Sequence, residues 1–269
     1  MRFGYCLNMV ATQPDGIGGE WILEAAKAGF DFIELPMAET MALDEQGYNT
    51  LKSAVVKAGI PCEACNNFFP RTLRLTGADA NLALAMDYAE RAFARAAGLG
   101  AKTVVFGSGP AKNIPEGFPM EKGYEQFVTL LKKAGPLAAD MGLTIAIEPL
   151  RRFECNFINT FEEGCILAEK VDHPAVKVLV DYYHFTVEED TTAALAEFGA
   201  KWLAHVHFAN PAGRISPAPD DGCDHSVFTD ALKATGYDGR ISCEAYTDDF
   251  AAAAPLARWY FQKVFSARS

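Results

Sequence analysis

The chain has 269 residues, half of them hydrophobic, and a formal net charge of −11, with a pI near 4.9. That balance repels phosphate backbones and excludes nucleic acid as a general partner; no run of Lys or Arg is longer than two. No stretch of about 18 apolar residues occurs, so no membrane span is expected. The start, Met1-Arg2-Phe3-Gly4-Tyr5-Cys6-Leu7, has no long apolar leader and reads directly as a strand. The seven cysteines (Cys6, Cys62, Cys65, Cys155, Cys165, Cys223, Cys243) lie mostly in apolar segments. An odd count in such settings suits reduced, buried thiols and a cytoplasmic protein.

Taken in order, a strand-then-helix alternation repeats eight times. The spacing predicts strands at Phe3–Leu7, Phe30–Leu35, Pro61–Asn66, Thr103–Phe106, Thr144–Glu148, Val176–Asp181, Ala204–Phe208 and Arg240–Glu244. Between and after them it predicts helices near Gly19–Ala28, Asp44–Ala58, Ala80–Ala97, Glu121–Met141, Phe161–Val171, Thr191–Phe198, Ser226–Thr235 and Ala251–Phe265. In the third helix Leu82, Met86, Ala89 and Phe93 recur at helical spacing and form one apolar face. Gly29, Gly59, Gly100, Gly142 and Gly236 stand where left-handed helix ends are wanted. Asp79 and Thr160 are the expected N-caps. Strands alternating with helices imply parallel pairing through right-handed crossovers. Eight units in this length fit a closed (β/α)8 TIM barrel, an α/β fold, as one domain over residues 1–269; a doubly wound open sheet is the alternative.

The fifth to eighth strands are chemically loaded. The run Ile145-Ala146-Ile147 ends at Glu148, and Pro149 stops any ladder there. A carboxylate at a buried strand end needs a partner; Arg151 and Arg152 are near enough in sequence to offer a plain salt bridge. The next three strands also end in metal-type ligands, namely Asp181, His207 and Glu244. In a parallel barrel all such ends gather at one mouth. Three carboxylates and an imidazole without thiolate suit one divalent ion, with Mn²⁺ in first place and Mg²⁺, Co²⁺ or Zn²⁺ as alternatives. His205 shares a face with His207 but lies a layer deeper, as a hydrogen-bonded core residue. His184 follows Asp181 by three and is placed to reach a bound ligand; nothing is assigned to His173 or His225. Cys62 and Cys65 are expected on opposite faces of their strand and carry no redox or zinc role. Gly107-Ser108-Gly109-Pro110 lacks the Gly-Lys-Ser/Thr of a phosphate loop and is expected as a flexible loop at the mouth.

These residues together carry a resemblance. Glu148, Arg152-Phe153-Glu154, Asp181-Tyr182-Tyr183-His184, His205-Val206-His207 and Gly236-Tyr237-Asp238-Gly239-Arg240-Ile241-Ser242-Cys243-Glu244 resemble the xylose-isomerase-like sugar isomerase/epimerase superfamily. Within it the pattern is most similar to the D-tagatose/D-psicose (allulose) 3-epimerase family. The match runs from about Leu143 to Tyr246; the first half agrees in architecture only. The resemblance implies that Glu148 and Glu244 are both metal ligands and the acid/base pair, with Asp181 and His207 completing the ligand set. It implies that Glu154 and His184 contact the substrate. Arg214 takes the place of the family's arginine, one residue further along and in a loop, Asn210-Pro211-Ala212-Gly213-Arg214, that departs from the epimerase pattern.

The implied activity is ketose 3-epimerisation by proton transfer through an ene-diolate. A divalent ion chelated by the carbonyl and a neighbouring hydroxyl stabilises the developing charge, and two carboxylates on opposite faces allow inversion. Alternatives on the same scaffold are a keto-inositol (inosose) isomerase or dehydratase and a hydroxypyruvate-type isomerase. An endonuclease IV-like nuclease is remote: it needs extra histidines on early strands, and no histidine precedes His173. A non-catalytic sugar-binding barrel would not need two bases. The expected partner is a small sugar or keto-polyol, and the expected assembly is a homodimer or homotetramer.

Overall fold

The protein is described here by a computed structural model covering residues 1–219 and 221–266. Eight parallel strands close into a barrel in sequence order: β1 Arg2–Cys6, β2 Phe32–Pro36, β3 Cys62–Asn66, β4 Thr103–Phe106, β5 Thr144–Ile147, β6 Val176–Asp181, β7 Leu203–Phe208 and β8 Arg240–Cys243. The helices are α1 Ile22–Lys27, α2 Met37–Ala42, α3 Glu45–Ala58, α4 Leu82–Leu99, α5 Gly109–Lys112, α6 Met120–Asp140, α7 Phe161–Val171, α8 Tyr182–Val187, α9 Thr192–Trp202, α10 Ser226–Ala234 and α11 Phe250–Ser266. The fold is thus the expected TIM barrel. The short helices α2 and α8 follow their strands directly and α5 follows β4 after two residues; none was expected from periodicity, because none is long enough to display one. Among the described residues no helix is long and apolar enough to cross a membrane.

Helix boundaries follow local chemistry. Thr160 caps α7 in a capping box, its hydroxyl accepting from the Glu163 N–H while the Glu163 carboxylate accepts from the Thr160 N–H. Asp79 is not a cap: Asn81 performs that role for α4, its side chain accepting from the Leu84 N–H. The five glycines expected at helix ends all have positive φ, between 69° and 102°. On α4 the apolar face buries Ala89 and Phe93, joined by Ala85, Ala92 and Ala96, with Leu82 and Met86 packed at its margin.

Strand parity sorts side chains between the barrel interior and the helix layer. Val105, Ala146 and Leu179 form a small cluster of their own, separate from the large core between strands and helices. Counting in twos from these residues places Glu148, Asp181, His207 and Glu244 on the interior, at its mouth. Gly4 faces the same interior; a Cβ there would lie 2.3 Å from the Phe32 ring, so Gly4 leaves Phe32 the room to plug the barrel. Cys62 and Cys65 correct the sequence reading. A register shift in the β2–β3 pairing sets Ile33 opposite Cys62 but Glu34 opposite Ala64, making Glu63 an extra residue. This bulge turns both thiols to one side, with their sulfurs 4.0 Å apart.

Candidate active site

The four strand-end candidates converge. One donor atom each from Glu148, Asp181, His207 and Glu244 lies within 4.8 Å of the other three, and all four residues are buried. His207 Nδ1 is 3.2 Å from Glu148 Oε1 and 2.9 Å from Glu244 Oε2. Glu148 is not the salt-bridge partner of the nearby arginines. Arg151 donates to Glu154 Oε1 at 2.6 Å and to the Tyr183 hydroxyl at 2.6 Å, while Arg152 pairs with Glu188. A buried acid cluster without arginine partners on its own loop demands a cation from elsewhere. Arg214 supplies one, donating to Asp181 Oδ2 at 2.8 Å and to Glu244 Oε2. The residues fit one divalent ion: four convergent oxygen and nitrogen donors, no thiolate among them, and a demand for positive charge at their centre.

The sequence reading missed what holds His207 in place. Glu34, on β2 and fully buried, lies directly beneath it. Glu34 Oε1 is 3.1 Å from His207 Nε2, and Oε2 is 2.8 Å from His205 Nε2. The Ser242 hydroxyl donates to Oε2 at 2.6 Å. A proton on His207 Nε2 is thereby directed at Glu34, so that Nδ1 is the nitrogen turned to the mouth and the one that would meet a cation there. His205 is the deeper, hydrogen-bonded residue expected. Burial works against the Glu34 charge, but His207 and His205 outweigh it and hold the carboxyl far below the usual range.

Two further supports come from the first half of the barrel. The Lys112 ammonium, buried at the end of α5, donates to the Glu148 carbonyl at 2.7 Å, and burial lowers its pKa. Pro149 cannot continue the ladder, so Lys112 anchors the strand just where the catalytic candidate leaves it. Asn66 Nδ2 lies 3.4 Å from Glu244 Oε1, and Asn66 Oδ1 is buried without a partner. The Gly107-Ser108-Gly109-Pro110 segment lies at the mouth, as expected, but only its first half is loop. Gly107 packs on the Glu148 carboxylate, and Gly109 opens α5.

Glu148 and Glu244 are driven apart in charge. Burial pushes the Glu148 carboxyl up, and the adjacent Glu244 charge adds to it. Burial pushes Glu244 the same way, but Arg214 and His207 overcome it and hold that carboxyl well below the carboxylate range. Over the pair lies a cavity of roughly 660 Å³, lined among others by Glu154, His184, Arg214, Phe69 and Ser108. His184 is buried, with Nδ1 accepting the Arg151 N–H at 3.3 Å and Nε2 3.5 Å from Asp181 Oδ2. Arg214 has φ +54°, and its guanidinium carbon sits 4.9 Å from the Tyr183 ring centroid. All seven predicted site residues are therefore at one mouth.

The sequence matches the xylose isomerase-like TIM barrel family over residues 22–262. The chain belongs to this family. Its relatives in the family include sugar epimerases. A ketose 3-epimerase of Arthrobacter globiformis is 24% identical over 86% of this chain and 78% of its own. A D-psicose 3-epimerase of Agrobacterium fabrum is 27% identical over 85% and 79%. The fold agrees with that of a D-psicose 3-epimerase solved in the presence of D-fructose, with a TM-score of 0.86 at 22% identity over 99% of this chain and all of that one.

Proposed function

We propose that this xylose isomerase-like barrel is a metal-dependent ketose 3-epimerase. The observation that carries the reading is the convergence of two glutamates on one imidazole nitrogen, Glu148 Oε1 at 3.2 Å and Glu244 Oε2 at 2.9 Å from His207 Nδ1, beside an open cavity that both acids line. Glu148, Asp181, His207 and Glu244 would hold one divalent ion, Mn²⁺ in first place. Bound there, such an ion supplies Lewis-acid stabilisation of the negative charge that develops on the substrate's oxygens.

The chain's own groups move the proton. One glutamate removes it from the carbon beside the carbonyl, and the other returns it to the opposite face, inverting the centre. The opposed pKa displacements support this division: one carboxyl is biased toward the acid form and its partner toward the base. His184 and Arg214 bind substrate oxygen near the reacting carbonyl, and Glu154 binds a neighbouring hydroxyl. Arg214 then exchanges part of its present contact with Asp181 and Glu244 for the substrate. The names of the relatives, which are ketose and D-psicose 3-epimerases, point to a ketose.

With an active ketose in D₂O, deuterium enters at the carbon next to the carbonyl. Glu148→Gln and Glu244→Gln each lose about 10²–10⁴-fold in turnover from acid–base catalysis alone. Turnover with no solvent deuterium in product or recovered substrate would demote two-base epimerisation in favour of hydride shift or one-face transfer. Full activity in both variants would remove the pair from the chemistry.

A further inference from the structure

A second group of metal-type donors lies in the long connection between β7 and α10, and the reaction above makes no use of it. Asp221, Cys223 and His225 each offer one donor atom, and the three lie within 4.8 Å of one another. His225 Nε2 is 3.1 Å from Asp221 Oδ2, and these two side chains are only 2% and 5% exposed. Cys223 is half-buried, with its thiol donating to Asn210 Oδ1 at 3.0 Å. Gly222 and Asp224, on either side of it, are exposed, so the group opens to solvent on that side.

The histidine is held as a ligand is held. Its ring is packed edge-on by Tyr182, Phe208 and Tyr260 at centroid distances of 5.4, 5.3 and 5.8 Å. Its Nδ1 is 3.3 Å from the Tyr182 hydroxyl. A hydrogen bond at one ring nitrogen fixes the tautomer and aims the other nitrogen outward. An Asp221–His225 ion pair alone would satisfy both buried groups. It does not account for the third donor, a thiol, brought to the same point by the spacing Asp-x-Cys-x-His.

We propose that Asp221, Cys223 and His225 bind a second divalent ion of the Zn²⁺ type, with water from the open side as fourth ligand. The donor set differs in kind from the first centre. Thiolate with imidazole and carboxylate selects Zn²⁺ or Co²⁺, whereas three carboxylates and one imidazole also suit Mn²⁺ or Mg²⁺. On binding, the Cys223 thiol releases its proton to solvent. Any proton between His225 Nε2 and Asp221 Oδ2 leaves likewise, and the cation takes its place. Asn210 keeps its contacts with the Ala212 N–H and the Asp221 carbonyl. The ion thus ties one end of the loop to Tyr182, the residue after Asp181. The other end carries Arg214, whose carbonyl accepts the Tyr246 N–H at 2.8 Å. The site is a clasp on the segment that presents Arg214.

The test uses the thiolate as its reporter. Metal-free full-length protein is titrated with Co²⁺ and followed by near-ultraviolet absorption, where only a sulfur ligand gives charge transfer to the metal. The first centre contains no sulfur and is silent there. The band should be complete by two Co²⁺ per chain in wild type, the first centre taking the other ion silently, persist in Asp181→Asn, and vanish in Cys223→Ser. After dialysis against Zn²⁺, wild type should hold two ions and Cys223→Ser one. The wild-type titration needs no variant, so a poorly folding mutant does not spoil it. Absence of the band in wild type overturns the site. So does a band that survives in Cys223→Ser, which would point to Cys6, whose sulfur is 3.9 Å from His207 Nε2.

Discussion

Glu34 holds His207 by Nε2 and so leaves Nδ1 at the mouth. Its two oxygens serve two histidines at once, and Ser242 adds a third hydrogen bond. Gln at this position has one acceptor and one two-hydrogen donor, so His207 and His205 can no longer both donate to it. Glu34→Gln should therefore lower affinity for the first ion by about 10–100-fold, the usual effect of removing an outer-shell carboxylate. Competition against a calibrated chelator measures it; unchanged affinity would show that packing alone orients His207. This residue was illegible in the sequence because Phe32-Ile33-Glu34-Leu35 reads as an apolar strand with one stray acid. The signal that identifies it is parity with His205 and His207 across the barrel, which exists only once the barrel is closed. Lys112 was hidden for a similar reason: nothing local distinguishes a lysine that ends a four-residue helix from a surface lysine. The convergence of Glu148, Asp181, His207 and Glu244 was legible because each stands at the end of its own strand, where the local pattern alone marks the position.

At the scale of elements, the strands were read within one or two residues, and the errors have physical causes. Glu148 and Glu244 fall just beyond β5 and β8 because their strands stop at Ile147 and Cys243, before the acids rise into the mouth. The bulge in β3 was invisible because a one-residue insertion leaves no mark on so short an apolar run. The β4–α5 connection was read as loop throughout because Gly-Ser-Gly-Pro suggests backbone freedom, yet α5 begins at Gly109. Its glycine instead answers a steric demand. A Cβ on Gly107 would lie 2.0 Å from Glu148 Oε2, so Gly107→Ala must displace that carboxylate while leaving the strands intact. A displacement of about 1 Å can cost about 10²-fold in rate. Turnover should fall by that order with an unchanged circular dichroism spectrum. Wild-type kinetics in Gly107→Ala would mean that Glu148 has slack at the site, and would weaken its assignment as a positioned base.

The whole molecule carries its acid excess into its own mouth. On a chain of net charge −11, Glu148, Asp181 and Glu244 share one buried point, opposed by Arg214 and His207. Self-repulsion of this kind works against the compact state. A cation that binds only the folded barrel therefore stabilises it, by about 2.7 kcal/mol at a hundredfold excess over the dissociation constant. For a chain near this size each kcal/mol moves the melting midpoint by about 2–4 °C, so Mn²⁺ should raise it by about 5–10 °C over chelator-treated protein. Mn²⁺ is the ion of choice because the thiolate-bearing group at Asp221, Cys223 and His225 prefers softer metals. Scans at one fixed rate keep the comparison valid if unfolding is irreversible. Asp181→Asn should shrink the rise while sparing the strands, since Asp181 ends β6 without pairing beyond it. Arg214 makes the test stringent: it already neutralises part of the cluster, so an ion must outcompete the guanidinium for Asp181 and Glu244. Equal melting with Mn²⁺ and with chelator, together with no ion retained on dialysis, would leave Arg214 as the site's own cation and end the metal-dependent reading.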